Sequence, residues 1–352
     1  MKQEENGIGP FRKLYAGYAA RSMDRARVAA GGLMTSLLAT ALREGLVDGV
    51  VLCRSDFSQE KMGYAIDIVT NADEIPKYGK SVYFNIPIER ETRRLDQFNG
   101  KLAICALPCQ ARIIRRTQLG GKRLQNITLV GALFCGHNNE LELWQLILKK
   151  KGIPQDRIVD MRTNREYMDG AVEFEMDDGS VREVSFREFN VYRRLWLFSK
   201  DLCRHCDEHL GAQADFSVGD IIVEDFLKKG IKHSALIART EAGSALVDTA
   251  LSKGVVALEP VFAETIYNAQ RSLIVTSGDN VSRYYANRAL GHKVKKPSEG
   301  RFRLRTFLIY FLLLLNDRLS RTKSGQWIFI KTPLVLLKSY IKLFNALKSG
   351  LK

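Results

Sequence analysis

The chain has 352 residues, of which 45% are hydrophobic and 26% are charged, values that argue against a disordered or fibrous protein. The formal net charge is +15, but residues 293–352 alone carry +12, from fourteen Lys and Arg against Glu299 and Asp317. Because the rest of the chain is nearly neutral, the overall charge does not indicate a nucleic-acid-binding body, and we expect no nucleic acid partner.

The first residues, MKQEENGIGPFRK, contain no apolar run of the kind that signal peptides have. We therefore expect a cytoplasmic protein, or one held peripherally at the inner face of the membrane. Thiols in the cytosol stay reduced, so disulfides are the weaker interpretation of the six cysteines. Metal binding or redox chemistry is favoured instead.

The stretch AAGGLMTSLLATALREGLVDGVVLC predicts a helix followed by a buried strand. Leu33 and Leu37 recur at helical spacing, and Gly45 lies where the helix is expected to end. Gly31 and Gly32 come just before this helix, where exposed N–H groups can hold an anionic group. Residues 71–91 have a weaker pattern, with a helical turn and a short strand predicted at SVYFN, residues 81–85.

Two apolar runs, KLAICAL and NITLVGALF, flank a predicted helix over residues 110–119. This strand–helix–strand unit favours parallel pairing. Further on, ELELWQLILKK predicts an amphipathic helix and AVEFEMDDGSVREVSF a hairpin. The predicted fold class is α/β (mixed α+β), with a sheet core, cysteine-bearing loops and a helical basic C-terminal extension.

Residues 296–352 form a basic, apolar tail that differs from the rest of the chain. Its longest apolar run, FLIYFLLLL, has nine residues, whereas a membrane-spanning helix needs about twenty. Flanking aromatic and basic residues are typical of a helix that contacts an anionic membrane surface or a partner subunit. The alternative is a basic amphipathic helix that folds onto the protein's own body.

Four of the cysteines form a pattern. Cys109 and Cys135 each follow an apolar run, so both are expected at the carboxyl edge of the predicted parallel sheet. Cys203 and Cys206 form a CxxC pair, a spacing that lets two sulfurs hold one metal or cluster. Four thiolates suit a 4Fe-4S cluster or a tetrahedral zinc ion. The other two, Cys53 and Cys105, lie inside strand-like runs and are interpreted as small buried apolar residues.

Three other interpretations exist for these residues. The CxxC pair could be a redox dithiol, although it does not follow a strand and open a helix. His205 and His209 could join Cys203 and Cys206 in a mixed zinc site. Pro-Cys-Gln around Cys109 resembles the nucleophile loop of DNA cytosine-5 methyltransferases, but the glycine-rich loop and the Glu-Asn-Val segment of that family are missing, and that interpretation leaves the other three cysteines unexplained.

Polar residues near the second cysteine pair also have two interpretations each. Asp215 and Asp220, in ADFSVGD, could bind backbone amides of a cluster loop or simply form turns, and the structural role is favoured. Arg239, in IARTEAG, could contact a cofactor phosphate or cap a strand end.

The motifs ALPCQA, ALFCGH, CRHCDEHLGAQADFSVGD and SALIARTEAG together resemble the deazaflavin-coenzyme (coenzyme F-420) hydrogenase and dehydrogenase beta subunits. Relatives of that family include 7-hydroxymethyl chlorophyll a reductase and the ferredoxin-dependent divinyl chlorophyllide reductases. The resemblance extends over residues 15–263 and also includes the Gly-Gly segment. It implies a flavin domain at 12–96, a cysteine-cluster domain at 97–265 and an extension at 266–352.

The resemblance implies an iron–sulfur flavoprotein that contains FAD or FMN and exchanges electrons with a deazaflavin coenzyme, ferredoxin or another redox partner protein. The positions that match the family's cluster cysteines are Cys109, Cys135, Cys203 and Cys206. The positions that match its flavin-lining segments are Gly31, Gly32, Ser81, Tyr83, Pro108 and Gln110. No catalytic side chain is assigned.

Two departures from the family pattern are visible. No cysteine precedes Cys53, so a second cluster would have to come from a partner, and Ala30 replaces the usual Ser before Gly-Gly. The alternative function is therefore a non-catalytic electron relay or adaptor that docks to a membrane or partner through the basic tail.

Overall fold

A computed structural model describes residues 7–21, 25, 28, 30–58, 62–121, 123–166 and 169–349 of the chain. Its strands are β1 (Lys13–Ala19), β2 (Gly49–Asp56), β3 (Gly63–Val69), β4 (Leu102–Ala106), β5 (Ile127–Leu133), β6 (Ile158–Glu166), β7 (Asp169–Met176), β8 (Val181–Ser185), β9 (Phe216–Asp220), β10 (Ser234–Ala238) and β11 (Val256–Pro260). Its helices are α1 (Leu33–Arg43), α2 (Thr92–Asp96), α3 (Pro108–Leu119), α4 (Glu142–Lys151), α5 (Phe186–Arg194), α6 (Glu224–Leu227), α7 (Glu241–Ser252), α8 (Ala263–Gly278), α9 (Asn280–Ala289), α10 (Leu304–Ser320), α11 (Lys323–Lys331) and α12 (Leu334–Ser349).

An eight-stranded mixed sheet in the order β11-β1-β10-β9-β5-β4-β2-β3 forms the centre of the fold. The four inner strands β9, β5, β4 and β2 are parallel, and antiparallel strands flank them on both sides. Ile104 of β4 pairs with Val130 of β5, which confirms the predicted strand–helix–strand unit. The mixed α/β fold class is likewise confirmed. Strands from residues 12–96 and from residues 97–265 share this one sheet.

The buried parts of the inner strands are apolar because helices cover both faces of the sheet. One face packs on α1 and α7, with Leu37 and Leu246 in its buried cluster. The other face belongs to a larger core that includes Ile114 of α3 and Trp144 of α4. Gly45 ends α1 with a φ of +64°, as the sequence predicts.

A second, antiparallel sheet of β6, β7 and β8 contains the predicted hairpin. Behind it, Trp144 of α4 stacks on Phe189 of α5 with ring centroids 4.5 Å apart. The predicted strand at residues 81–85 is wrong, because this segment is irregular. It runs outside both sheets, and its Asn85 N–H donates to the Asn139 carbonyl at 2.7 Å.

The tail folds onto the body along one side. Ile309 and Leu314 of α10, Phe329 of α11 and Leu337 of α12 are buried in the larger core. Lys150 of α4 donates to the carbonyl of Thr332, in the α11–α12 connection, at 2.6 Å. Within the described ranges, every helix is too short or too polar to cross a lipid bilayer.

Candidate functional site

The four cysteines of the predicted cluster lie on three loops. Cys109 is in the first turn of α3, directly after β4, and Cys135 lies two residues beyond β5. Because β4 and β5 are parallel, both cysteines are at the same carboxyl edge of the sheet, where open α/β sheets place their sites. Cys203 is in a single 3-10 turn, Asp201–His205, and Cys206 follows that turn.

The structure brings these four thiols together. Every pairing among them is close enough for the charge of one thiol to raise the pKa of another. Burial is the largest cause in each case: it raises the pKa of Cys135 to about 12 and that of Cys206 to about 11, and it raises that of Cys203 well above its usual value. Without a bound metal, Cys135, Cys203 and Cys206 therefore favour the protonated form.

Hydrogen bonds connect the cysteine-bearing segments to one another. The Cys135 N–H donates to the His209 carbonyl at 2.9 Å, and the Nδ1 of His209 donates to the Cys135 carbonyl at 2.8 Å. The Asn138 N–H donates to the Sγ of Cys203 at 3.4 Å. Glu208 closes the loop after Cys206, because its carboxylate accepts the N–H groups of residues 210–212.

Positive charges surround the thiols. Arg112 and Arg283 act against burial and lower the pKa of Cys206, and Arg193 does the same for Cys135. Arg112 is itself oriented by Asp207, with Nη1 and Oδ1 2.6 Å apart. These arginines favour the thiolate form, which is the form that binds metal.

Buried polar atoms around the cysteines have no partner among the described residues. They are His209 Nε2, His137 Nδ1 and Arg283 Nε. Such atoms are costly unless something satisfies them, so they fit a site that holds a bound polar or charged group. His137 stacks on Trp196, its Nε2 lies 2.6 Å from the Ser199 hydroxyl, and burial lowers its pKa to about 3.

The spacing of the donors bears on which metal could bind. Among the residues that the structure describes, no three His, Cys, Asp or Glu side chains are close enough to hold one metal ion. His205, one member of the mixed zinc interpretation, is exposed. The four thiols are thus gathered without forming a single-ion site in the described part of the chain.

The Gly31-Gly32 segment lies at the N-terminus of α1, and no side chain caps this end. Gly32 has a φ of +83°, which few other residues tolerate. A Cβ on Gly31 would lie 3.0 Å from the Gly17 and Lys232 carbonyls and from the Ser234 hydroxyl. The Gly31 N–H donates to the Ser234 hydroxyl at 3.2 Å, so it is the uncapped first turn of α1 beyond Gly31 that has an arrangement suited to an anionic group.

The remaining predicted flavin residues lie near the start of α3. Pro108 occupies the first turn of α3 and sets the turn before Cys109. Gln110 is buried, and both ends of its amide are engaged: it accepts from the Leu107 N–H at 2.8 Å and donates to the Ile86 carbonyl at 2.8 Å. Tyr83 packs against Phe186 and Phe189, and the Ser81 carbonyl accepts from Thr163. Gln110 thus links the 81–88 segment to the cysteine loop.

Two polar residues have structural contacts. Asp215 accepts from the Val130 N–H at 2.7 Å and from Arg115 at 2.6 Å, in agreement with the favoured structural role. The guanidinium of Arg239 is buried and donates to the carbonyls of Pro10 and Leu210. These contacts join strand ends, as the second interpretation of Arg239 expects. Cys53 and Cys105 are half-buried in β2 and β4 against the two main cores.

Sequence reasoning missed three residues near the cysteines. His137, Arg283 and Asp317 lie in or beside the site. His137 ends the motif ALFCGH and could have been found from it, whereas no short motif connects Arg283 or Asp317 to the CxxC pair. Arg283 and Asp317 belong to the extension 266–352. Its basic tail was expected either to contact a membrane or partner or to fold onto the protein's own body, and neither expectation named these two residues.

Comparisons with known proteins identify the family of this chain. Two family models match, both of the coenzyme F420 hydrogenase/dehydrogenase beta subunit. The model of its N-terminal part matches residues 14–90, and the model of its C-terminal part matches residues 99–264. The coenzyme F420 hydrogenase subunit beta of Methanothermobacter thermautotrophicus is 25% identical over 271 residues, which cover 72% of this chain and 86% of that protein.

A second relative is the coenzyme F420-dependent sulfite reductase of Methanocaldococcus jannaschii, 24% identical over 66% of this chain and 36% of its own length. A chain of the F420-reducing [NiFe] hydrogenase complex from Methanosarcina barkeri has a similar fold, with a TM-score of 0.64 and 16% identity over 85% of this chain and all of that one. This protein belongs to the coenzyme F420 hydrogenase/dehydrogenase beta subunit family, whose members are electron-transfer subunits of oxidoreductases.

Proposed function

We propose that this protein is an iron–sulfur flavoprotein that moves electrons between a hydride donor or acceptor and one-electron carriers. The observation that carries the proposal is the meeting of Cys109, Cys135, Cys203 and Cys206, which lie up to 97 residues apart in sequence, at one edge of the sheet. When bound, a flavin exchanges electrons in pairs and a cluster exchanges them singly, so the two together connect the two kinds of chemistry.

A 4Fe-4S cluster suits the four cysteines better than one zinc ion does. In a cluster each thiolate binds a different iron atom, so the sulfurs stand further apart than around a single ion. The four thiols lie together but form no single-ion site in the described part of the chain, which is consistent with a cluster. The surrounding arginines would offset the negative charge of a thiolate-bound cluster.

FAD, or FMN, is proposed on the side of Gly31 and Gly32. The α1 N-terminus would hold its phosphate, and the 81–88 segment with Ser81 and Tyr83 would lie along it. Gln110 would act by fixing that segment, because its own amide is already bonded. The names of the relatives support a deazaflavin coenzyme as the hydride partner, with ferredoxin or another redox protein as the alternative.

The proposal is tested on protein purified without oxygen. We expect acid-labile sulfide, iron and a releasable flavin, and we expect reduced deazaflavin coenzyme or reduced ferredoxin to bleach the flavin absorption. Protein with one zinc per chain and no flavin would refute the proposal. Reconstitution of the metal-free, flavin-free chain with FAD and with FMN separately would identify the flavin.

A second candidate function, an adaptor that docks through its tail at the cytoplasmic face of a membrane or on a partner protein, rests on exposed apolar side chains. Trp327, Val335, Leu336 and Leu343 are 62%, 70%, 59% and 52% exposed. Trp327 is on α11. The inner face of α12 is buried, while its outer face presents Val335, Leu336 and Leu343 next to the exposed Lys338 and Lys342. Apolar and basic side chains together suit an anionic surface.

The adaptor function is tested by flotation with vesicles that contain anionic lipids, and by pull-down with candidate partner proteins. The variant Trp327→Ser/Leu336→Ser/Leu343→Ser should lose binding while it keeps its fold. Binding that is unchanged in this variant would count against docking through the tail.

A further inference from the structure

Two helices of the C-terminal extension, residues 266–352, contact the CxxC turn directly. Arg283 of α9 donates through Nη2 to the Cys206 carbonyl. Asn287, one helical turn further along, donates to the Arg204 carbonyl at 3.1 Å. The matched family ranges end at residue 264, so both contacts come from outside them.

Asp317 of α10 makes the densest set of contacts. Its side chain is fully buried and accepts the Ser199 N–H at 2.9 Å. It also accepts two hydrogen bonds from Arg204, at 3.0 and 2.8 Å, and one from Arg321 at 3.1 Å. Arg204 lies between Cys203 and Cys206. The Asp317 carboxylate therefore holds both Ser199, just before the CxxC turn, and Arg204, within it.

The segment before the turn has an unusual backbone. Trp196 and Phe198 have φ angles of +63° and +50°, although neither is a glycine. Such conformations cost free energy and persist only where the surrounding structure enforces them. The Phe198 N–H donates to the Ser320 hydroxyl of α10 at 2.9 Å, next to the Asp317 contact with Ser199. The extension thus holds the strained segment that leads into the cysteines.

Arg283 also brings a buried positive charge. Its side chain is 1% exposed, its Nε has no partner in the described ranges, and it lies over the ring of Tyr310. A positive charge beside a cluster stabilises the reduced, more negative state and thereby raises the reduction potential.

We propose that α9 and α10 belong to the cysteine site. Asp317 positions the CxxC turn. Arg283 positions Cys206 and raises the reduction potential of the cluster. The role of Arg283 in the potential rests on the cluster proposed above. The positioning role of Asp317 does not rest on the cluster, because Asp317 holds the CxxC turn in the metal-free protein as well.

The positioning role is tested on metal-free protein by measuring how fast Cys203 and Cys206 react with a maleimide, with peptide mass spectrometry to assign the sites. Asp317→Asn should react about tenfold faster than wild type, since the loss of charge-assisted hydrogen bonds favours local opening on this scale. The matched control is Asp201→Asn, because the exposed Asp201 also pairs with Arg204 but, within the described ranges, its carboxylate bonds no backbone group of the turn. If Asp317→Asn does not fold, Ser320→Ala gives the milder test, and wild-type rates in the folded variant would overturn the positioning role.

The effect of Arg283 on the reduction potential of the cluster is tested on reconstituted protein by a redox titration monitored by electron paramagnetic resonance. Arg283→Gln should keep its iron and shift the midpoint potential to more negative values, and Arg283→Lys should shift it less. The control is Arg288→Gln, an exposed arginine on the same helix. An unchanged potential at full iron content would overturn the tuning role. Wild-type protein that takes up no iron would refute the cluster and the tuning role together, while the maleimide rates would still decide the positioning role.

Discussion

Cys135 and His209 bind each other through two hydrogen bonds, one from the Cys135 N–H at 2.9 Å and one from the imidazole Nδ1 of His209 at 2.8 Å. They are 74 residues apart in sequence. The pair joins the segment after β5 to the segment after the CxxC turn, so it links two of the three cysteine-bearing segments. Because a carbonyl only accepts, the proton is on Nδ1, which is the arrangement that orients a histidine beside a metal centre.

His209→Ala should therefore lower the iron affinity by about 10–100-fold, the usual effect of removing a residue that supports metal ligands. The measurement is iron retained after dialysis against a graded chelator. His205→Ala is the control, since His205 is exposed and makes no hydrogen bond to the cysteine loops within the described residues. Equal loss of iron from both variants would contradict the supporting role of His209.

His137 should make the stability of the protein depend on acid pH. The unfolded chain binds a proton at this residue below about pH 6.5, whereas burial keeps the folded ring neutral down to about pH 3. The contribution of His137 to the free energy of unfolding is therefore fully present above pH 6.5. It decreases as the pH falls towards 3, by at most about 1.4 kcal/mol for each pH unit. Urea unfolding of wild type and His137→Gln across this range should give a shallower slope for the variant, and parallel slopes would refute the assignment.

Gly32 should matter for flavin binding more than for folding. Gly32→Ala and Gly45→Ala place Ala at φ angles of +83° and +64°, so both variants carry similar backbone strain. The added Cβ of Gly32→Ala also lies 3.0 Å from the Ala19 Cβ, whereas that of Gly45→Ala meets nothing within 4 Å, so flavin content is compared at equal folded fraction in urea unfolding. Only Gly32 lies at the uncapped N-terminus of α1. The flavin content after gel filtration should fall in Gly32→Ala and stay at the wild-type level in Gly45→Ala. Flavin loss of the same size in both would show that strain, and not the site, is responsible.

Gln110 is expected to link stability to cofactor content. Gln110→Leu leaves the Leu107 N–H and the Ile86 carbonyl unpaired, at a cost of about 1–3 kcal/mol in the free energy of unfolding. The matched variant is Gln118→Leu on the same helix, far from the cysteines along α3. It breaks three bonds: two that Gln118 donates to the Leu124 and Ile127 carbonyls and one that it accepts from Arg115. Both should lose stability in urea, but only Gln110→Leu should also lose flavin.

Local pattern predicted much of this fold. The run of Leu33, Leu37 and Gly45 indicated α1 and its end, and the apolar runs indicated β4 and β5, because periodicity and turn residues act over short distances. The gathering of the four cysteines was also predictable, since two follow strands that are adjacent in the sheet and two form a CxxC pair. SVYFN was predicted wrongly because its β-forming side chains find no strand to pair with.

Other features depend on contacts that no local pattern records. The antiparallel strand β1 pairs with β10 and β11 more than 200 residues later in the chain. Asp317 stands in a basic, apolar tail and yet is buried on the CxxC turn. Composition predicted the exposed face of the tail and could not predict the inner face, because long-range packing decides which residues are covered.

The central claim is that four cysteines hold one 4Fe-4S cluster, and iron analysis of anaerobically purified cysteine variants tests it most directly. Wild type and Cys53→Ala, whose cysteine lies within β2, should each contain about four iron atoms per chain, as a 4Fe-4S cluster does. Cys109→Ser, which removes the ligand after β4, should lose most of its iron and the broad visible absorption. Full iron content in Cys109→Ser, or one zinc per chain in wild type, would contradict the claim.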